Sequence, residues 1–326
     1  MAILRLVLIL SLAAAAADRE PAPPRYSIES LGGGRVQALN DSGGIIGSDG
    51  APGRPRAFVQ VRGRRQYVEG LGEFGGHAAA VNAAGVVAGT AWEAATQPFG
   101  FAWRDGVTTR LPVPDGMRSA SAFDLNGRGD FVGHGRLGER QVALAWSGDS
   151  VRILPALIDG GSASARAIND SGWIAGNAMG AGNRYRPVLW RGGAPVDLGA
   201  PADAIAIPVD VNEHGQVVGS LNTGIATARA FLWENGGMTD LAPGTYAEAA
   251  AINDSGQVVG RAAPGSDTTR PVLWEGGRMV YLDELLPRGH GWSLLHVTDI
   301  NNQGWIIGMG RSPEGLTEAW LMKPVR

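Results

Sequence analysis

Residues 251–260, Ala251-Ile252-Asn253-Asp254-Ser255-Gly256-Gln257-Val258-Val259-Gly260, decide the fold, because their pattern returns along the whole chain. The anchor is Asn253, with Gly256 three residues on and Gly260 four beyond that. The same offsets join Asn40 to Gly43 and Gly47, Asn82 to Gly85 and Gly89, and Asn126 to Gly129 and Gly133. They join Asn169 to Gly172 and Gly176, Asn212 to Gly215 and Gly219, and Asn301 to Gly304 and Gly308. Two glycines at fixed offsets in seven copies, about 43 residues apart, constitute a repeat, and the repeat is read before any single element.

Each copy reads as four strands. An apolar residue precedes every anchor (Leu39, Val81, Leu125, Ile168, Val211, Ile252, Ile300) and ends strand a. Asn-x-x-Gly predicts a tight hairpin, the asparagine side chain capping a turn whose glycine takes positive φ. The Val/Ile run after it is strand b. A second apolar run is strand c: Ala57-Phe58-Val59, Phe101-Ala102-Trp103, Leu144-Ala145-Trp146, Val188-Leu189-Trp190, Phe231-Leu232-Trp233, Val272-Leu273-Trp274 and Trp320-Leu321-Met322. A short Leu-ended run such as Met238-Thr239-Asp240-Leu241 is strand d. None of these runs has the length or 3.6-residue period of a helix. Four antiparallel strands per 40–50 residues predict an all-β fold, a single seven-bladed β-propeller. The seventh unit lacks a strand d, and Tyr26–Gly32 is expected to supply it, its Leu31-Gly32 ending matching Leu71-Gly72 and Leu198-Gly199. Such closure removes open sheet edges, whereas an open solenoid needs polar capping repeats.

Composition agrees. Fifty glycines in 326 residues is about twice the usual share, without a collagen period. A net charge of −3 argues against a general nucleic-acid binder. Lys323 is the only lysine, so the positive charge is arginine, which suits planar carboxylate, sulfate or phosphate groups. Arg5, the apolar Leu6–Leu12 and the small Ala13–Ala17 read as a secretory signal over 1–17, cut before Asp18. Residues 18–24 read as a flexible lead-in, and 25–326 as the propeller, with no transmembrane segment in the mature chain. The expected location is periplasmic or extracellular. The chain has no cysteine, so neither a disulfide framework nor a lipid-anchored cysteine is available.

Two stretches carry a family likeness. Residues 230–241 (Ala-Phe-Leu-Trp-Glu-Asn-Gly-Gly-Met-Thr-Asp-Leu) and 251–260 resemble the HAF-repeat family of bacterial extracellular proteins. The likeness covers nearly all of the expected mature chain. It implies secretion and a repeat architecture and carries no activity or catalytic residue. Where the family has His-Ala-Phe, this chain has Arg56-Ala57-Phe58 and Arg229-Ala230-Phe231.

Chemistry is sparse in the sequence. The Asn-Asp-Ser-Gly turns at Asn40, Asn169 and Asn253 suggest calcium loops, but apolar strand b begins where further oxygen ligands are needed. Residues 70–75 (Gly-Leu-Gly-Glu-Phe-Gly) fit a dinucleotide pattern with no helix after it. The five histidines show no metal-ligand spacing, and neither a metal nor a cofactor is expected. Two residues before the anchor, four units carry alanine and three carry Asp124, Asp210 and Asp299. These carboxylates either converge on the channel, holding a cation or sugar hydroxyl, or accept hydrogen bonds from turn amides or a neighbouring blade. Arg56, Arg186, Arg229 and Arg270 begin strand c. With Phe74, His77, Trp92, Phe99, Tyr185, Tyr246, His290 and Trp292 they are placed on the face of the variable loops, as a platform for sugars or acidic polymers or as inter-blade packing. Trp103, Trp146, Trp190, Trp233 and Trp274 are expected wedges between blades.

Three functional readings follow. The first is a non-enzymatic binding or scaffold module recognising a polysaccharide or another exported protein through the loop face, with Arg56, Arg186, Arg229, Arg270, Trp92, Tyr185 and Trp292 as contacts. The second is an enzyme on an extracellular polymer that uses the channel aspartates. The third is a purely structural envelope or matrix component.

Overall fold

In the computed structural model the described residues are 25–325, apart from 52–53, 95–96, 203, 223, 225–227, 264 and 266–267. The expected signal and lead-in lie outside them. Among the described residues the chain forms 28 strands in seven four-stranded antiparallel sheets. The protein is a seven-bladed β-propeller. Blades 1 to 6 each take four consecutive strands, beginning with Arg35–Leu39, Gly76–Val81, Ala120–Leu125, Ala163–Ile168, Ile205–Val211 and Tyr246–Ile252. Blade 7 is built from Ser293–Ile300, Ile306–Arg311 and Thr317–Pro324, and the N-terminal strand Tyr26–Gly32 completes it. Tyr26 pairs with Pro324 and Ser30 with Trp320, and the Tyr26 ring is buried in the core of that blade. The first and last strands of the propeller are thereby held in one sheet.

The two invariant glycines do different jobs. Those three residues after the anchor all have positive φ, from +73° at Gly256 to +81° at Gly129, as the turn demands. Those seven residues after it have ordinary φ and are set by space. A Cβ on Gly89 would stand against the His77 carbonyl oxygen on one side and 2.6 Å from the Phe101 ring on the other. The carbonyl comes so close because each inner strand is bulged: the register skips Gln37, Ala79, Phe123, Arg166, Val209, Ala250 and Thr298, each three residues before its anchor.

The anchoring asparagines tie the ring together. The Oδ1 of each accepts amides of its own turn, as with Trp173 N on Asn169 at 2.8 Å. Each Nδ2 donates to the backbone oxygen of the next blade's asparagine: Asn40 to Asn82, Asn82 to Asn126, Asn126 to Asn169, Asn169 to Asn212, Asn212 to Asn253, Asn253 to Asn301, and Asn301 back to Asn40. These seven bonds, 2.8–3.1 Å long, form a closed belt. An Asn169→Ala change removes a turn cap and a belt link together. It is expected to cost about 2–4 kcal/mol, read as a lower urea midpoint. Asp170→Ala, on the exposed residue beside it, is expected to cost under about 1 kcal/mol in the same assay.

Two expectations are corrected in detail. Pairing puts Gln60, not Val59, at the wedge position of blade 1, since Gln60 faces Ile45 as Trp103 faces Val87. Val68 rather than Leu71 is the register mate of Leu198, both amides bonding back to strand c; Leu71 is a further core residue in the d–a connection. Single 3₁₀ turns lie outside the strands, at Ala181–Asn183 and Leu282–Leu285. The second tucks Leu282 and Leu285 into the blade-7 core, an i, i+3 spacing too short to register as periodicity. The tryptophan wedges Trp103, Trp146, Trp190, Trp233 and Trp274 are all buried between blades.

Candidate functional site

The inner strands end around one cavity of about 260 Å³, lined by all seven asparagines and by Asp124 and Asp210. The bulges explain what the three aspartates do there. A bulged inner strand turns the amide just before its asparagine toward the axis, where no neighbouring strand can accept it. Asp124 takes the amides of Leu125 and, on the next blade, Ile168, at 2.8 and 2.7 Å. Asp210 takes those of Val211 and Ile252, both at 2.8 Å, and Asp299 those of Ile300 and Leu39, at 2.8 and 2.9 Å. Three carboxyls thus serve six amides. The seventh, on Val81, receives none, since Ala38 and Ala80 stand at the aspartate position in blades 1 and 2.

Protein surrounds these carboxyls, although Asp124 and Asp210 also line the cavity. Desolvation is the largest influence and raises all three: Asp124 to about 8, Asp210 to about 6, and Asp299 well above the ordinary range. The two amides on each pull the other way, while mutual repulsion adds to the rise at Asp124 and Asp299. In the unfolded chain each returns to an ordinary value near 4. The folded state therefore binds the extra protons, and this stabilisation is full below about pH 4 and lost as pH rises through the folded values. His134 acts oppositely. Burial, then the charge of Arg166, lower it to about 4, so its contribution is lost as pH falls below about 6.5. Above pH 6.5 only the aspartates remain. Tm is expected to fall by about 2–4 °C between pH 6.5 and 8.5 in a thermal scan, and Asp124→Asn is expected to flatten that slope.

An open chain of bonds at the rim spans five of the seven blade junctions. The Gly127 amide bonds Asp170, Asp170 bonds Glu213, Glu213 bonds Asp254, Asp254 bonds Asn302, and Asn302 bonds Asp41. Asp41, Asp170, Glu213, Asp254 and Asn302, each directly after its asparagine, thus accept from the counterpart one blade back, whereas Ala83 and Gly127 have no accepting side chain. The acidic turns that resemble calcium loops are inter-blade connectors, and among the described residues no group of three or more His, Cys, Asp or Glu is arranged to hold a metal ion.

The loop-face arginines are engaged within their own blades. Arg186 makes a forked pair with Asp197 at 3.0 and 3.2 Å, and Arg229 reaches Asp240 at 3.4 Å. Arg270 contacts both oxygens of Asp283 at 2.8 Å and lies 3.6 Å from the Tyr281 ring centre. Arg56 lies 3.7 Å from that of Tyr67. In each blade the partner Tyr67, Asp197, Asp240 or Tyr281 stands eleven residues after the arginine. That constant spacing was the signal, visible in the sequence, for a cross-strand clamp between strands c and d.

The aromatics divide. Phe99 is buried in the core and leaves the platform. Phe74 and Tyr185 are 40% and 42% exposed. Trp92 is half-buried, edge-to-face with His77 at 5.5 Å, and Trp292 packs partly against the blade-7 core with its amide on His290 Nδ1. Tyr246 donates to Glu248 at 2.9 Å, and Glu248 also takes Arg261.

No protein-family model matches the chain, and no curated protein matches it in sequence. Solved structures match in fold. The β-propeller domain of the Trilobed protease from Pyrococcus furiosus, described as having an open velcro topology, aligns at a TM-score of 0.60 with 10% identity, over 88% of this chain and 95% of that one. A puromycin-hydrolyzing peptidase from Mycobacterium tuberculosis aligns at 0.62 with 13% identity, over 94% and 56%. An acylaminoacyl peptidase from Pyrococcus horikoshii aligns at 0.56 with 11% identity, over 89% and 51%. This chain spans about half the length of those two peptidases, and at such identities the likeness is one of fold.

Proposed function

We propose that the chain is an exported, non-enzymatic binding module of the HAF-repeat kind, recognising a polysaccharide through the face of its variable loops. One observation carries this reading: the recurring side chains are engaged in holding the ring, and the exposed aromatics Phe74 and Tyr185, with Trp92 and Trp292, occur where the blades differ. An exposed aromatic on a rigid scaffold is a ready surface for a sugar ring. Export rests on the reading of residues 1–17. The enzymatic alternative needs a free carboxylate at Asp124, Asp210 or Asp299, and in each both oxygens already hold amides.

The test is a panel of exported polysaccharides and proteins on the purified chain, with Tyr185→Ala, Trp92→Ala and Trp292→Ala beside it. Glycan binding that weakens at least tenfold in a loop-face variant supports recognition there. Capture of a protein partner, with no glycan, moves the module to protein recognition. No ligand at all, with the variants unchanged, leaves the structural role.

A further inference from the structure

The channel wall holds a guanidinium without a counter-charge. Arg166 is the bulge residue of blade 4, on an innermost strand whose two faces pack against other blades, so its exposed surface opens on the channel. Its guanidinium carbon lies 5.4 Å from the ring centre of Phe123, the bulge residue of blade 3. Among the described residues Arg166 makes neither an ion pair nor a side-chain hydrogen bond. Asp124 on the adjacent strand is turned into the Leu125 and Ile168 amides. Glu248, further round the channel, is held by Arg261.

Stacking on Phe123 is worth about 0.5–1 kcal/mol and leaves the N–H fork of the exposed Arg166 guanidinium without a protein acceptor. Other groups converge beside it. His134 Nδ1 lies 3.2 Å from Ser164 Oγ, and its ring meets Phe123 edge-on at 4.9 Å. Burial, and then the charge of Arg166, favour the neutral form of that imidazole. A fork of N–H donors, a hydroxyl, a neutral imidazole and an aromatic wall around one uncompensated positive charge fit a planar monoanion.

We propose that Arg166, with Ser164, His134 and Phe123, forms a channel site for a carboxylate, of the kind carried by a sugar acid. This site is separate from the loop-face surface and stands whether or not that face binds anything.

The probe is glucuronate, titrated into the whole protein while the imidazole signals of His134 are followed by NMR, assigned with a His134→Gln variant. Glucuronate is expected to shift the His134 signals and to raise the pH at which that ring titrates, because a bound anion offsets Arg166. Glucose should leave both unchanged. Arg166→Ala is expected to weaken glucuronate binding at least tenfold. Arg166→Gln, which keeps most of the side-chain volume, should do the same, so the test survives if the alanine variant folds poorly. Tighter Arg166-dependent binding of an oligoglucuronate than of the monomer assigns the carboxylate to a polymer; equal binding assigns it to a free sugar acid, and both uphold the site. No shift with any carboxylate, an equal shift in both Arg166 variants, or tighter binding of inorganic phosphate overturns it.

Discussion

Gly89→Ala is expected to prevent the ring from folding, while Gly85→Ala, four residues earlier in the same hairpin, is expected to weaken it only modestly. At Gly89 the added methyl would meet the His77 carbonyl oxygen and, at 2.6 Å, the fully buried Phe101 ring. Neither can retreat, because the carbonyl belongs to the bulged inner strand and the ring is wedged into the blade core. Overpacking of that kind ordinarily costs about 1–3 kcal/mol, and with backbone on one side about 4 kcal/mol or more is expected. At Gly85 nothing lies within 4 Å, and the only penalty is the positive φ of +77°, about 1–2 kcal/mol for a non-glycine residue. Soluble yield and urea midpoints of the two variants decide this, and equal losses would mean that turn conformation alone explains both glycines.

Removal of residues 25–32 is the second large effect. The segment contributes the outer strand of blade 7 and the buried Tyr26 ring, and its flanking backbone bonds Leu285 and Val325. Loss of the ring alone is worth about 3–5 kcal/mol. The strand Thr317–Pro324 would be left as an open edge, a template for aggregation. The shortened protein is expected to lose its cooperative transition and to aggregate on concentration. A synthetic peptide of residues 25–34 should restore a sharp transition in a concentration-dependent way, as binding to the folded state requires. A truncated chain that melts like the intact one would show that closure through this strand adds little.

The sequence made the blade count, the turns and the closing strand legible, because each rests on a local rule repeated seven times. Asn253 and Gly256 specify a hairpin wherever they occur, and Tyr26–Gly32 is the one strand left without a blade. What stayed hidden depends on contacts between copies. The register break at Phe123 and Arg166 leaves no compositional trace, so the sequence could offer amide acceptance by Asp124, Asp210 and Asp299 only beside convergence on the channel, and could not choose between them. The outward half of Asn169, its Nδ2 on the next blade, exists only once the ring closes. Arg186 was placed on the correct strand but without its partner Asp197, although the eleven-residue spacing was there to be found. Arg166 drew no notice because nothing recurs at its position.

The belt of asparagines, the six amides held by three aspartates and the shared N-terminal strand make one claim: the seven blades unfold as a unit. Native-state hydrogen exchange tests it most directly. The amides of Leu39, Leu125, Ile168, Val211, Ile252 and Ile300 sit in six different blades, each on an aspartate oxygen. A closed ring predicts that all six exchange with one common free energy, that of global unfolding, and that Asn169→Ala lowers all of them together. Amides that instead exchange blade by blade, with only the neighbours of Asn169 responding to its loss, would mark an array of nearest-neighbour repeats and contradict the account.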